Sequence, residues 1–225
     1  MKIIGHRGAA SITAENTISS ILAAKKAGVD AIEFDVRLTK DKQLVLCHDS
    51  TLERTHGINE KVSALTYSEI SKIVSLSGHK IPSLEDALKA CGKTPVVIEA
   101  KGSQWADELH DVLGDHPDKN RFTVISFNHH ELFAFSKYQS DIPLYVLEHR
   151  NSFDAINAAR VYKFDGIDIN FWTLNPLTYY LAKRHNLKIL VFTVDKPWIA
   201  RLIKSLYSGV DITTNIPQRM QQLRD

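Results

Sequence analysis

Cysteine is scarce in this chain: 225 residues contain only Cys47 and Cys91. They lie far apart, with no C-x-x-C spacing, which excludes a disulfide framework and a thiolate zinc site and leaves two reduced, packed thiols. Long hydrophobic runs are missing too. No window approaches the roughly 18 consecutive apolar residues of a membrane helix, and the apolar stretch after Met1 is too short for a secretion signal. The expectation is a soluble, cytoplasmic protein with no membrane insertion. An excess of charge of one sign is also absent. The formal net charge is +2 with Lys and Arg scattered, which removes nucleic acid as a partner but leaves local cations for a small anionic substrate. Internal repeats, linkers and low-complexity segments are lacking.

What is present is an ordinary globular composition, 44% hydrophobic and 24% charged, enough for one sizeable core and one domain spanning residues 1–225. Short β-branched runs alternate with amphipathic helical patterns almost from end to end. Strands are expected at Lys2–Gly5, Ala31–Val36, Pro95–Ala100, Phe122–Ser126, Leu144–Leu147, Gly166–Ile169, Lys188–Val194 and Val210–Thr214. Between them fall helical patterns at Thr17–Ala27, Leu84–Ala90, Trp105–Leu113, His130–Tyr138, Phe153–Arg160, Pro176–His185 and Pro197–Tyr207, several opened by a polar cap or a first-turn proline. Regular alternation favours a parallel sheet. No G-x-G-x-x-G follows the first strand, and eight strands in 225 residues match a compact (β/α)8 barrel better than an open doubly wound sheet. The stretch Asp41–Pro82 is too long for a simple connection. It carries a hairpin-like run, Gln43–Cys47, and a helical piece, Tyr67–Val74, and is expected to cap the barrel mouth.

Active sites of such barrels lie at the carboxyl ends of the strands, and Gly5-His6-Arg7-Gly8 falls where strand one ends. Alone, the His-Arg pair reads as a surface loop; its neighbours change that. Glu33 and Asp35, two apart on a strand, project from one face roughly 7 Å apart. Inside a barrel each would cost several kcal/mol unless a cation compensates it. Either a hard divalent ion does so, or they pair with Arg37 or Lys101 in a structural ion network. Glu99 and Lys101 repeat the spacing at another strand end, adding a third oxygen ligand and a cation. Three carboxylates suit Mg²⁺ or Ca²⁺, whereas zinc would draw in His or Cys. His48, followed by Asp49, joins His6 as a second imidazole that titrates near neutrality. Two imidazoles, a metal, Arg7 and Lys101 supply a base, an acid and charge stabilisation, the requirements for cleaving a phosphodiester.

The ordered set His6-Arg7-Gly8, Glu15-Asn16-Thr17, Ile32-Glu33-Phe34-Asp35-Val36, His48-Asp49 and Leu52-Glu53-Arg54-Thr55 resembles the glycerophosphodiester phosphodiesterase family. The likeness runs on through Ile81-Pro82-Ser83-Leu84, Ile98-Glu99-Ala100-Lys101, Ser126-Phe127, Phe192-Thr193-Val194-Asp195 and Gly209-Val210-Asp211, covering nearly the whole chain. The resemblance implies a TIM (β/α)8 barrel with a small insertion after the second strand, at about residues 43–83. It also implies that His6 and His48 are the acid/base pair, that Glu33, Asp35 and Glu99 bind one divalent cation, Mg²⁺ or Ca²⁺, and that Arg7 and Lys101 contact phosphate. The implied reaction hydrolyses a small-molecule glycerophosphodiester to sn-glycerol 3-phosphate and an alcohol, by direct water attack or through a cyclic phosphate. The sequence departs from the family pattern at Ala14-Glu15-Asn16 (usually Pro-Glu-Asn), at Ala100, at Phe192-Thr193-Val194-Asp195 (often Trp-Thr-Val-Asn) and at Thr213-Thr214-Asn215 (more often Ile-Thr-Asp). None of these removes a catalytic group. Phe127 and Phe192 are candidate pocket walls, Asp168 and Asn170 candidate partners of substrate hydroxyls, and Trp172 a candidate at the mouth. His56, His79, His129, His130 and His149 have no motif support and are read as solvent-facing or locally bonded. Two alternatives stand beside the main reading: a related barrel phospholipase that releases a cyclic phosphate, and a non-catalytic phosphodiester-binding barrel.

Overall fold

A computed structural model describes residues 1–114, 116–138 and 141–223. In chain order the elements are β1 (Ile3–Gly5), α1 (Ile18–Lys26), β2 (Ala31–Leu38), β3 (Leu44–Leu46), β4 (Thr51–Leu52), α2 (Glu53–His56), β5 (Ile58–Lys61) and α3 (Tyr67–Ile70). There follow α4 (Leu84–Cys91), β6 (Val96–Ala100), α5 (Ala106–Leu113), β7 (Phe122–Ser126), α6 (His129–Ser136), β8 (Leu144–Glu148) and α7 (Ser152–Tyr162). The chain ends with β9 (Gly166–Asn170), α8 (Pro176–Arg184), β10 (Lys188–Phe192), α9 (Pro197–Leu206), β11 (Val210–Thr214) and α10 (Pro217–Met220).

Eight parallel strands close on themselves in the order β1, β11, β10, β9, β8, β7, β6, β2, with β2 pairing back to β1. This is the TIM barrel that the alternating pattern and the family resemblance implied. Strand β10 stops at Phe192 rather than Val194; beyond it the Val194 amide still donates to β11, at the Thr213 carbonyl 2.9 Å away, but out of the regular register. Between the barrel and its helices lies the main core, from Ile3, Ile32 and Phe34 round to Val210 and Ile212. The opposite faces of the strands point inward. There, Ile4, Ala31, Val97, Ile125, Leu147 and Leu190 form a separate apolar cluster that plugs the lower barrel.

The residues after β2 form the expected insertion. Strand β3 runs antiparallel to the end of β2, and β4 with β5 makes a small hairpin enclosing α2. Val45, Cys47, Leu52, Val62, Ile70 and Ile81 give it a core of its own. It walls the mouth beside β1 and β2: Arg54 of α2 bonds Glu15 in the loop before α1, and His79 meets Ser19 of α1 at 3.2 Å. The helical piece is shorter than its pattern. A capping box between Thr66 and Glu69 starts α3, but Val74 is drawn into a bridge with Lys80, so the helix ends at Ile70. Both cysteines are free and buried, and burial pushes their thiols up to about 11 for Cys47 and about 12 for Cys91.

Candidate active site

The turn after β1 is built around two glycines and one strained residue. A Cβ on Gly5 would sit 2.3 Å from the Gly8 carbonyl oxygen, and Gly8, at φ +83°, has Ser20 Oγ 2.4 Å from where its Cβ would be. Neither position tolerates a side chain. Between them Arg7 adopts φ +51°, a left-handed conformation costly for a residue with a Cβ. It is held from both sides: its amide donates to Glu33 Oε2 at 2.7 Å, and its carbonyl accepts from Ser20 Oγ at 2.8 Å and the Asn16 amide at 3.1 Å. The turn delivers His6 and Arg7 to the barrel axis.

Glu33 and Asp35 share the inner face of β2, and the register of β2 with β6 sets Asp35 beside Glu99. Ligand-capable oxygens of Glu33, Asp35 and Glu99 lie within 4.8 Å of one another, and all three residues are buried. Lys101 Nζ bonds Glu99 Oε1 and lies 3.2 Å from Asp35 Oδ1. Arg7 Nε is 3.4 Å from Asp35 Oδ2, which also accepts from Asn16 Nδ2 at 2.8 Å. The ion network envisaged from the sequence therefore exists through Lys101, with Arg7 as a second cation. Arg37 is not in it; its guanidinium instead donates twice to the His48 carbonyl, at 2.8 and 3.0 Å.

Two cations do not balance three carboxylates. Burial raises the pKa of Asp35, but Lys101 and then Arg7 outweigh it and hold the carboxylate far below its usual range. Glu33 is pushed well above that range by burial and then by the charges of Asp35 and Glu99. Glu99 is raised to about 7, first by burial and then by Asp35. Moreover, Glu33 Oε1 is buried and accepts no hydrogen bond from the described residues. Oxygens of a six-coordinate Mg²⁺ or Ca²⁺ shell lie roughly 3 to 5 Å apart. The oxygen spacing, the unmet acceptor and the surplus negative charge all fit one hard divalent cation, and the all-oxygen donor set does not suit zinc.

The two imidazoles flank this cluster, each tied down at Nδ1. His48 Nδ1 lies 2.6 Å from Asp49 Oδ1, and the other Asp49 oxygen accepts from Arg54 Nε at 2.6 Å. His6 Nδ1 lies 2.7 Å from Asn215 Oδ1, and its Nε2 is 3.9 Å from Glu33 Oε2. Both rings feel the Asp35 charge. Burial lowers both pKa values, with Arg7 adding to the effect at His6, which favours the neutral rings at pH 7, and among the described residues the side-chain hydrogen bond of each ring is at Nδ1.

Aromatic rings wall the opposite side. Phe127 stacks on His149 at 4.8 Å, and Phe192 meets His149 edge-on at 5.1 Å and Phe127 at 6.5 Å. Lys101 Nζ sits 5.9 Å from the Phe127 ring centre. His149, just past the end of β8, is exposed and bonded locally to these rings, as its lack of motif support led one to expect. Asn215 was quoted only as a departure, and its contact with His6 spans 209 positions. Of the weaker candidates, Asp168 is buried within the barrel, level with Leu147 and Leu190, and does not reach the mouth. Asn170 spends its side-chain oxygen on the Trp172 amide, and Trp172 is 76% exposed against Phe171.

The sequence model of the glycerophosphoryl diester phosphodiesterase family matches residues 6–224. The chain belongs to this family. It is accordingly a glycerophosphodiester phosphodiesterase, a phosphoric diester hydrolase. Among family relatives, the Bacillus subtilis protein YhdW is 32% identical over 96% of this chain and 95% of its own length. The glycerophosphodiester phosphodiesterase of Caldanaerobacter subterraneus is 28% identical over 98% of this chain and 96% of its own. The solved glycerophosphodiester phosphodiesterase of Parabacteroides distasonis superposes with a TM-score of 0.86 at 26% identity, covering 99% of this chain and 95% of that one. An Oleispira antarctica phosphodiesterase, solved in complex with the product sn-glycerol-3-phosphate, gives a TM-score of 0.90 at 21% identity, covering 100% and 97%.

Proposed function

We propose that the whole chain is one catalytic domain that cleaves a glycerophosphodiester to sn-glycerol 3-phosphate and a free alcohol, using His6 and His48 as the proton-transfer pair. The supporting observation is their matched arrangement: two neutral rings, anchored at Nδ1, flank a buried carboxylate cluster bordered by Arg7 and Lys101. The product bound to the Oleispira antarctica enzyme, on the same fold, is consistent with this choice of substrate.

Glu33, Asp35 and Glu99 would hold one divalent cation, Mg²⁺ or Ca²⁺. When bound, such an ion polarises phosphoryl oxygens and offsets their charge. The protein's own groups do the rest. Arg7 and Lys101 contact the phosphate and hold it between the imidazoles. One Nε2 takes the proton of the attacking hydroxyl while the other ring, once protonated, gives its proton to the departing alcohol. Phe127 and Phe192 present apolar surface to the glycerol carbons.

Release of glycerol 3-phosphate from glycerophosphocholine, with Mg²⁺ or Ca²⁺ supplied, tests the proposal. His6→Ala and His48→Ala should each lower turnover by roughly 10²- to 10⁴-fold while the protein stays folded, and EDTA should abolish it. Wild-type turnover by either variant, or full activity in chelator, refutes the assignment.

A further inference from the structure

The ring of His6 is held through a side chain that could, by itself, be read in either of two orientations. The Asn215 amide lies between His6 and Asp195, with Asn215 Oδ1 2.7 Å from His6 Nδ1 and Asn215 Nδ2 2.7 Å from Asp195 Oδ2. Asp195 is itself fixed: its Oδ1 accepts from the Asn215 backbone amide at 2.8 Å and from Thr214 Oγ1 at 3.1 Å. A carboxylate only accepts, so the NH₂ of Asn215 must face Asp195 and its oxygen must face His6. That oxygen in turn can only accept, so His6 Nδ1 carries the proton and Nε2 carries the lone pair. The backbone reinforces the alignment, since the His6 amide donates to the Thr214 carbonyl at 2.9 Å.

We infer that Asp195 and Asn215 are a pair of positioning residues that set the tautomer and orientation of His6, with the charge kept one residue away from the ring. The arrangement contrasts with His48, whose Nδ1 faces a carboxylate directly. Neither Asp195 nor Asn215 touches the carboxylate cluster in the contacts described, so their effect passes through His6. The inference rests on His6 being a proton carrier: if Nε2 is to accept a proton at the start of the reaction, the opposite tautomer is idle.

The pair also has a chemical parity that makes it testable. One member must accept only and the other must bridge. With two carboxylates, Asn215→Asp sets like charges against each other. With two amides, Asp195→Asn leaves the Asn215 amide free to turn over. The reciprocal double variant Asp195→Asn/Asn215→Asp restores one acceptor against the ring and one donor behind it.

The experiment reads the His6 ring by ¹⁵N spectroscopy at about pH 8, where imidazole is neutral, with its resonances assigned through His6→Gln. It also measures kcat and KM for glycerophosphocholine. Wild type should show the Nδ1–H tautomer. The isosteric Asp195→Asn should give a tautomer mixture and lower kcat by roughly 10- to 100-fold with KM within a few-fold, and Asn215→Ala should do the same. The reciprocal double variant should regain the Nδ1–H form and most of kcat. An Nε2–H tautomer in wild type, an unchanged tautomer and kcat in Asp195→Asn, or a double variant no better than its worse parent overturns the inference. If the tautomer shifts as expected but His6→Gln keeps full activity, the failure lies in the catalytic role of His6, not in the relay.

Discussion

Ile4, Val97, Ile125, Leu147 and Leu190 seal the lower barrel with apolar side chains, whereas Glu33, Asp35, Glu99, Arg7 and Lys101 crowd ionisable groups into its upper end. Several of the same strands serve both. Because inward positions recur every second residue, β6 carries Val97 and Glu99 on one face, with Lys101 just past its end, and the change from hydrocarbon to charge takes one step along the strand. The lower half contributes stability, and the upper half is a cost carried for chemistry. Asp168 marks the boundary. It sits level with Leu147 and Leu190, buried in the apolar layer, where burial, followed by the Glu99 charge, drives its pKa well above its usual value.

Breaking the lower half should give the largest effect. Leu147→Ala is expected to cost about 2 to 5 kcal/mol of stability in urea unfolding while leaving the specific activity of the folded fraction near wild type. A loss of turnover out of proportion to unfolding would show that the two layers are not separable.

The upper half should reveal itself through pH. Glu99 has its pKa raised to about 7 from the ordinary 4.5, and Glu33 is raised in the same direction. A carboxyl with a raised folded-state pKa contributes stability that is fully present below the unfolded value and lost as pH climbs through the folded one. Metal-free protein should therefore lose Tm as pH rises from about 4.5 past 7. Mg²⁺ or Ca²⁺, taking the place of the protons, should restore more Tm at about pH 8 than at about pH 6. A Tm that ignores both pH and cation over this range would remove the cation from the account.

The smallest expected effect sits at the rim. Phe192→Leu keeps apolar volume but loses the edge-on contacts with Phe127 and His149, and should raise KM for glycerophosphocholine by roughly 2- to 10-fold with kcat little changed. An unchanged KM would mean that the aromatic wall does not meet substrate.

How much of this was legible beforehand depended on the range of the interactions. Strands such as Phe122–Ser126 and Val210–Thr214 agree with the sequence reading to the residue, since local β-branched runs and closing polar residues define them. The acidic cluster was readable because strand periodicity alone puts Glu33 and Asp35 on one face. Arg37 escaped, because its spacing matched the carboxylates while its actual partner is a backbone carbonyl, a group that every residue possesses. The short α2, α10, β4 and β5 also went unseen; with two to four residues each, they are held by the insertion and the barrel end, not by any pattern of their own.

A chain of contacts beginning in the insertion has a consequence for anyone who would reshape this protein. Arg54 grips Glu15 with both terminal nitrogens at 3.0 and 2.6 Å, Glu15 holds Arg7 at 2.8 Å, and Arg7 leans on Asp35 at 3.4 Å. The excursion after β2 is therefore a strut, not an ornament. Trimming it, or grafting in a foreign segment without an arginine at this spot, would slacken the guanidinium at the barrel's centre from more than one residue away, with every residue of the candidate site still in place.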